Sequence, residues 1–339
     1  MKVKIVRLML FRIIVSALFL SLICLPASSS VLSVNKASQV KLLVFPDDGV
    51  EPILSLIHKA KKSIDLVMYA FTHAGLVKAL IEAEQRGVAV RVMLQPSPYK
   101  MDSVNNNVIL QLLSSGVALT GSNPAFRNTH QKSLIIDDKL ALISGFNYTT
   151  TSFISQRDFA VLVSNPNSVA EVESVFNADW LRTKAVMKRP ELVWSPTQSS
   201  QKIADFIASS EHSLSLYNQG FSDIALAKAL IRRSQQGVKV RVLVSHKKTN
   251  FRVLNLLVCN GVAARYFTHG HLHAKAMLAD YNTATERSFV GSANFTPVGL
   301  KRNRELGIVM SDKAVAQRLY RTFQSDWDRE AVQKCDKAA

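Results

Sequence analysis

Residues 63–71, SIDLVMYAF, are apolar or β-branched at nearly every position, as expected of a strand buried on both faces. The next stretch, GLVKALIEAEQ, returns its apolar positions at three- and four-residue spacing, which predicts a helix with one core-facing stripe, and Gly87 ends it. VAVRVML then reads as a second strand. Strand, helix and strand within about 32 residues predict a right-handed crossover between parallel strands. A further helix, NVILQLLSSG, leads to a hairpin in which KSLIID and LALISG flank an Asp137–Asp138 turn. FAVLVS supplies the next strand and EVESVFNADW the next helix.

The whole pattern then repeats. Lys62–Leu94 aligns with His212–Val244 at a constant offset of 150, pairing Gly87 with Gly237 and Arg91 with Arg241. The offset drifts to 143 at the hairpin and settles at 147, where Asn147 meets Asn294, Asp158 meets Glu305, Phe176 meets Phe323 and Trp180 meets Trp327. Slow drift of this kind marks a duplicated domain with small loop insertions. The expected fold class is α/β: two duplicated α/β/α sandwich lobes with mixed sheets, related by a pseudo-two-fold axis, with one active site at their interface. The expected bounds are residues 38–183 for the first lobe and 199–332 for the second, separated by a linker rich in Pro, Ser and charge at 184–198.

The hairpins carry the chemistry. HQKSLIID places His130, Lys132 and Asp137 as HAKAMLAD places His273, Lys275 and Asp280, and the turns SGFN and GSAN end on Asn147 and Asn294. Side chains two apart on a strand share a face, so each lobe offers an imidazole and an ammonium together. Cutting a phosphodiester requires a nucleophile on one side of phosphorus, a proton donor on the other, and positive charge on the equatorial oxygens. Two half-sites facing each other supply that set, with Lys132, Lys275, Asn147 and Asn294 holding phosphoryl oxygens. Asp158 and Glu305 are expected to fix the imidazoles, while Asp137 and Asp280, at the bends, are placed to organise backbone. No metal and no cofactor is called for. His269 and His271 alternate with His273, but without a thiol or carboxylate beside them they read as a strand entering the cleft.

Composition narrows the partners. At 339 residues the chain has room for two cores, and 42 Lys and Arg against 25 Asp and Glu give a net charge of +17. Such a surface attracts phosphate, whether on nucleic acid or on an anionic bilayer. Lys2, Lys4, Arg7 and Arg12 precede an apolar run, Ile13–Leu25, so residues 1–29 read as a signal peptide or N-terminal anchor. The expected location is accordingly periplasmic or secreted, with anchoring to the inner membrane by an uncleaved N-terminus as the variant. Cys259 and Cys335 could pair in an oxidising compartment, but Cys259, in the helical VLNLLVCNG, is expected to be a buried small apolar residue.

At these residues the chain resembles the phospholipase D superfamily, whose signature is His-x-Lys-x4-Asp followed by a Gly-Ser-x-Asn turn. Residues 40–330 carry the resemblance, with two departures: the first turn reads SGFN, and the first acidic residue is Asp158 where the second copy has Glu305. The resemblance implies a phosphohistidine intermediate, His130 as nucleophile and His273 as acid and base. The leading expectation is hydrolysis of a phospholipid headgroup to phosphatidic acid by a monomer holding both half-sites. A secreted or periplasmic metal-independent endonuclease and a phosphatidyltransferase such as cardiolipin synthase are the alternatives. For lipid contact, Tyr99, Met101, Phe126, Tyr148 and Phe153 are candidate rim residues, whereas KKTNFR, with Phe251 amid basic residues, would suit nucleic acid.

Overall fold

The computed structural model describes residues 39–337, and the N-terminal segment read as a signal or anchor lies outside them. Two mixed sheets repeat one topology. From edge to edge the first runs Val40–Phe45, Gln156–Val163, Leu140–Ser144, Ser133–Ile136, Ser63–Met68, Ala89–Leu94, Ala118–Gly121. The second runs Leu192–Ser195, Glu305–Met310, Arg287–Gly291, Lys275–Ala279, Ser213–Asn218, Lys239–Ser245, Ala263–Phe267. In each, the last three strands are parallel and the others antiparallel.

Three apolar cores result. Helices Glu51–Lys59, Ala74–Gln85 and Asn106–Ser114 cover the outer face of the first sheet, and Ser199–Ala208, Ile224–Gln235 and Phe251–Cys259 cover that of the second. The third core lies between the sheets and is shared by both, with helices Pro166–Trp180 and Lys313–Arg329 packed into it. Asn165 starts the first of these by accepting the N–H of Asn167 and Ser168, with Pro166 at the first helical position where its missing N–H costs nothing.

The repeat positions matched in sequence touch in space. Arg91 lies over Phe176 and Trp180 at 4.8 and 5.6 Å, and Arg241 lies over Phe323 and Trp327 at 5.0 and 5.6 Å. Each arginine lies over the aromatic pair of its own repeat, which clamps the inter-sheet helix to the sheet.

Three expectations change. Residues 184–198 are not simply a linker, because Leu192–Ser195 is a buried edge strand that pairs with Glu305–Ile308 as Val40–Phe45 pairs in the first sheet. Cys259 is exposed and joined to Cys335 by a disulfide; its helix turns that position outward, away from Val253, Leu254 and Leu257. Tyr148 and Phe153 are core, 1% and 4% exposed and packed around Phe146, whereas Tyr99 and Met101 are exposed.

Candidate active site

The two histidine-bearing segments leave their own lobes and dock on the other. His130 and Gln131 both donate backbone N–H to the carbonyl of Arg304, and Thr129 bridges to the same residue. In mirror fashion His273 and Ala274 donate to the carbonyl of Arg157, and His271–Leu272 pairs with Gln156–Arg157 as a short parallel strand. Each arginine is pinned by the inter-sheet helix of the opposite lobe: Arg304 Nε to Asp179 at 2.8 Å, and Arg157 Nε to Asp326 at 2.8 Å. Breaking such a buried pair leaves an uncompensated charge, so the docking is firmly held.

The residue after each arginine is the acid. Because the segments cross, so do the partners. Glu305 grips His130, its two oxygens 3.0 and 2.9 Å from Nδ1, while Asp158 grips His273 Nδ1 at 2.6 Å. A carboxylate can only accept here, so Nδ1 of each ring donates and Nε2 is left free for chemistry. Within its own repeat neither acid serves its own histidine. Arg157, Arg304, Asp179 and Asp326 are functional supports that sequence reading passed over; the signal was present, since both pairs obey the offset of 147 and the aspartates directly precede Trp180 and Trp327.

Lys132 and Lys275 are fully buried. Lys132 Nζ donates to the carbonyl of His130 and lies 5.3 Å from the Tyr69 ring. Lys275 Nζ donates to the His273 carbonyl and to Gln219 Oε1 at 3.1 Å, and stands 3.1 Å from His273 Nδ1. Burial drives Lys132 well below the ordinary lysine range and brings Lys275 down to about 8. Burial lowers both histidines and both lysines add to it; His273 is lowered the more strongly, while Glu305 opposes the shift at His130. Burial raises Asp158 to about 6. At Glu305 burial pulls upward too, but His130, Lys132 and Ser292 prevail and hold it below the usual range.

Asn147 and Asn294 sit on the turns, and the Oδ1 of each is buried with no hydrogen-bond partner among the described residues. Bridges Phe71 to Tyr148 and Phe221 to Phe295 hold the two turns against the central strands. A pocket of about 250 Å³ is lined by His130, Tyr69, Tyr99, Arg127, Asn128, Asn294 and Asn303.

Asp137 and Asp280 are not in the site. Each has left-handed φ at its hairpin bend, and its carboxylate accepts three successive backbone N–H groups, of Lys61, Lys62 and Ser63 or of Glu211, His212 and Ser213. Five residues from Lys132, at the far end of the strand, Asp137 is roughly 16 Å of extended chain away. These aspartates tie the hairpin to the start of its neighbour strand. His271 is at the rim, 6.3 Å from His273 between ring centres, and His269 pairs with Glu330 at 3.3 Å.

The family model described as cardiolipin synthase, PLD-like domain, matches residues 53–180 and again 203–327. The chain belongs to the phospholipase D superfamily. Among curated relatives, it is 24% identical to cardiolipin synthase B of Salmonella typhi over 344 residues, 86% of this chain and 80% of that protein. To the minor cardiolipin synthase ClsB of Bacillus subtilis it is 24% identical over 336 residues, 86% of this chain and 82% of that one. Two solved structures share the fold. Phosphatidylserine synthase of Haemophilus influenzae has a TM-score of 0.66 at 14% identity, covering 88% of each chain. Polyphosphate kinase of Porphyromonas gingivalis has a TM-score of 0.71 at 16% identity, covering 87% of this chain but only 48% of the kinase.

These relatives correct the expectation of an exported enzyme. They are named for building a membrane phospholipid, not for degradation in the periplasm or medium, and the periplasmic or secreted reading is withdrawn. No described helix is long and apolar enough to cross a membrane.

Proposed function

We propose that this phospholipase D superfamily enzyme is a phosphatidyltransferase of the cardiolipin synthase type, passing a phosphatidyl group from one phospholipid to the alcohol of another through a phosphohistidine. The observation that carries the reading is the crossed pair of imidazole–carboxylate contacts over two buried lysines. The cardiolipin synthase relatives, matched along most of their length, favour an alcohol acceptor over water and a lipid over nucleic acid. Transfer thus takes precedence over the headgroup hydrolysis that the motifs alone placed first.

In this scheme Glu305 holds Nδ1–H of His130, so Nε2 keeps its lone pair and attacks phosphorus. The bond from phosphorus to the leaving alcohol breaks, and His273 gives that oxygen its proton. Neutral His273 then takes the hydroxyl proton of the accepting lipid, whose oxygen attacks phosphorus and releases His130. Lys132 and Lys275, joined by the amides of Asn147 and Asn294, hold the equatorial oxygens. Phosphate arriving between the lysines offsets their charge on His273 and raises its affinity for the proton it must donate.

The test is the full chain on phosphatidylglycerol vesicles, with lipids followed by mass spectrometry and glycerol by enzymatic assay. The expected products are cardiolipin and free glycerol in equal amounts. Phosphatidic acid as the sole lipid product, or cleavage of plasmid DNA with no lipid turnover, would overturn the proposal.

A further inference from the structure

Two histidines on a near-symmetric scaffold can divide nucleophile from acid/base only if their surroundings differ, and the difference lies behind the carboxylates. In the second repeat Ser292 Oγ donates to Glu305 Oε2 at 2.6 Å and Asn303 Nδ2 donates to Oε1 at 3.1 Å. Asn303 Oδ1 in turn accepts from Asn128 Nδ2 at 3.3 Å. With His130 bound to both oxygens, Glu305 is fastened from three sides.

The first repeat has neither donor. The position matching Ser292 is Gly145, and the one matching Asn303 is Gln156, whose Oε1 accepts from Ser152 Oγ at 3.1 Å. Asp158 receives the N–H of its neighbour Phe159 at 2.7 Å and the ring of His273. A side chain at 145 is also excluded on space, since a Cβ there would stand 2.2 Å from Asp158 Oδ1. The reversed order of serine and glycine, Ser144-Gly145 against Gly291-Ser292, is therefore coupled to the exchange of glutamate for the shorter aspartate.

We propose that Ser292 and Asn303 are positioning residues which fix Glu305 as an ionised acceptor and so make His130 the nucleophile, while the bare Gly145 leaves the Asp158–His273 pair free to exchange a proton as acid and base. The inference rests on the covalent step of the proposed function. The electrostatics run the same way. Glu305 faces His130, Lys132 and Tyr69 and is held low; burial raises Asp158 to about 6 although it faces Lys275 and Lys132; His273 faces both lysines, His130 and His271.

The experiment compares the full-length protein with Ser292→Ala, Ser292→Thr and Asn303→Ala. Headgroup-labelled and acyl-labelled phosphatidylglycerol are used with rapid acid-free quenching, and the adduct is located by peptide mass spectrometry. The wild type is expected to carry the adduct on His130. Each alanine variant should form it roughly tenfold more slowly per donor lost, and Ser292→Ala, which lies outside the pocket lining, should leave KM unchanged. The acid side of its pH–rate profile should steepen, because Glu305, which binds a proton more readily without its donors, adds a second loss of activity to the one set by Asp158. Ser292→Thr, which keeps the hydroxyl, should restore both. An adduct on His273 in the wild type, or alanine variants with wild-type rate and pH profile, would overturn the inference. Turnover with no adduct in any variant would remove the covalent step of the proposed function, and the pH profiles would still decide the role of Ser292 and Asn303. Phosphatidic acid in place of cardiolipin would count against transfer alone, leaving the adduct's location to judge this inference.

Discussion

His130 is held by Glu305, a residue 175 positions away and in the other repeat, at 2.9 Å, while the acid of its own repeat, Asp158, holds His273 at 2.6 Å. The site is thus interlocked: neither half has an oriented imidazole until the lobes dock.

Crossing predicts which residues are energetically coupled. Double-mutant cycles on unfolding free energy should give about 1–3 kcal/mol for His130→Ala with Glu305→Ala and for His273→Ala with Asp158→Ala. The cycle pairing His130 with Asp158 should give the smallest value. Equal coupling within a repeat would contradict the crossed arrangement.

The pH dependence of kcat/KM should be bell-shaped. As pH falls through about 6, Asp158 takes up a proton and stops accepting from His273. As pH rises through about 8, Lys275 loses the charge that holds phosphate. Lys275→Arg should keep its charge and extend the alkaline side in whatever activity survives. A profile flat from pH 5 to pH 9 would refute this.

Lys132 is fully buried and its ammonium is disfavoured there. Lys132→Met should raise folding stability by about 1–3 kcal/mol, read from denaturant unfolding, and lower kcat by roughly 10²–10³-fold. A destabilised variant with near-normal turnover would reverse this reading.

For Asp280 the expectation is the opposite. Asp280→Ala strands three backbone N–H groups and loses a 3.3 Å contact from Arg287. Stability should fall by about 2–4 kcal/mol, while kcat per folded molecule stays within about threefold of wild type. A stable, inactive variant would put Asp280 in the chemistry after all.

Much of this was legible in the chain. Periodicity and the repeat identify the strands, the helices and the mixed sheets, and the two motifs supply His130, Lys132, His273 and Lys275. The crossing was not legible, because it depends on the segment around Thr129 pairing with Arg304 and that around Leu272 with Arg157. Sequence spacing carries no record of which lobe a strand edge meets. Leu192–Ser195 was hidden because a strand of four residues, enclosed by Pro190 and Pro196, is too short to show a period. The reversed Ser-Gly order in the first turn was visible but had no meaning until Gly145 was found against Asp158. Asp137 and Asp280 belong to the repeated motif, yet their place at the bends marked them as organisers of backbone, and a strand separates them from the lysines.

The central claim is that the two motifs build one reaction centre per chain. Rapid-quench titration of the phosphatidyl adduct on the full-length protein, with the oligomeric state measured at the same concentration, tests it most directly. One adduct per chain, on His130 and in a monomer, is the predicted result; two adducts per chain, or one for every two chains, would contradict it.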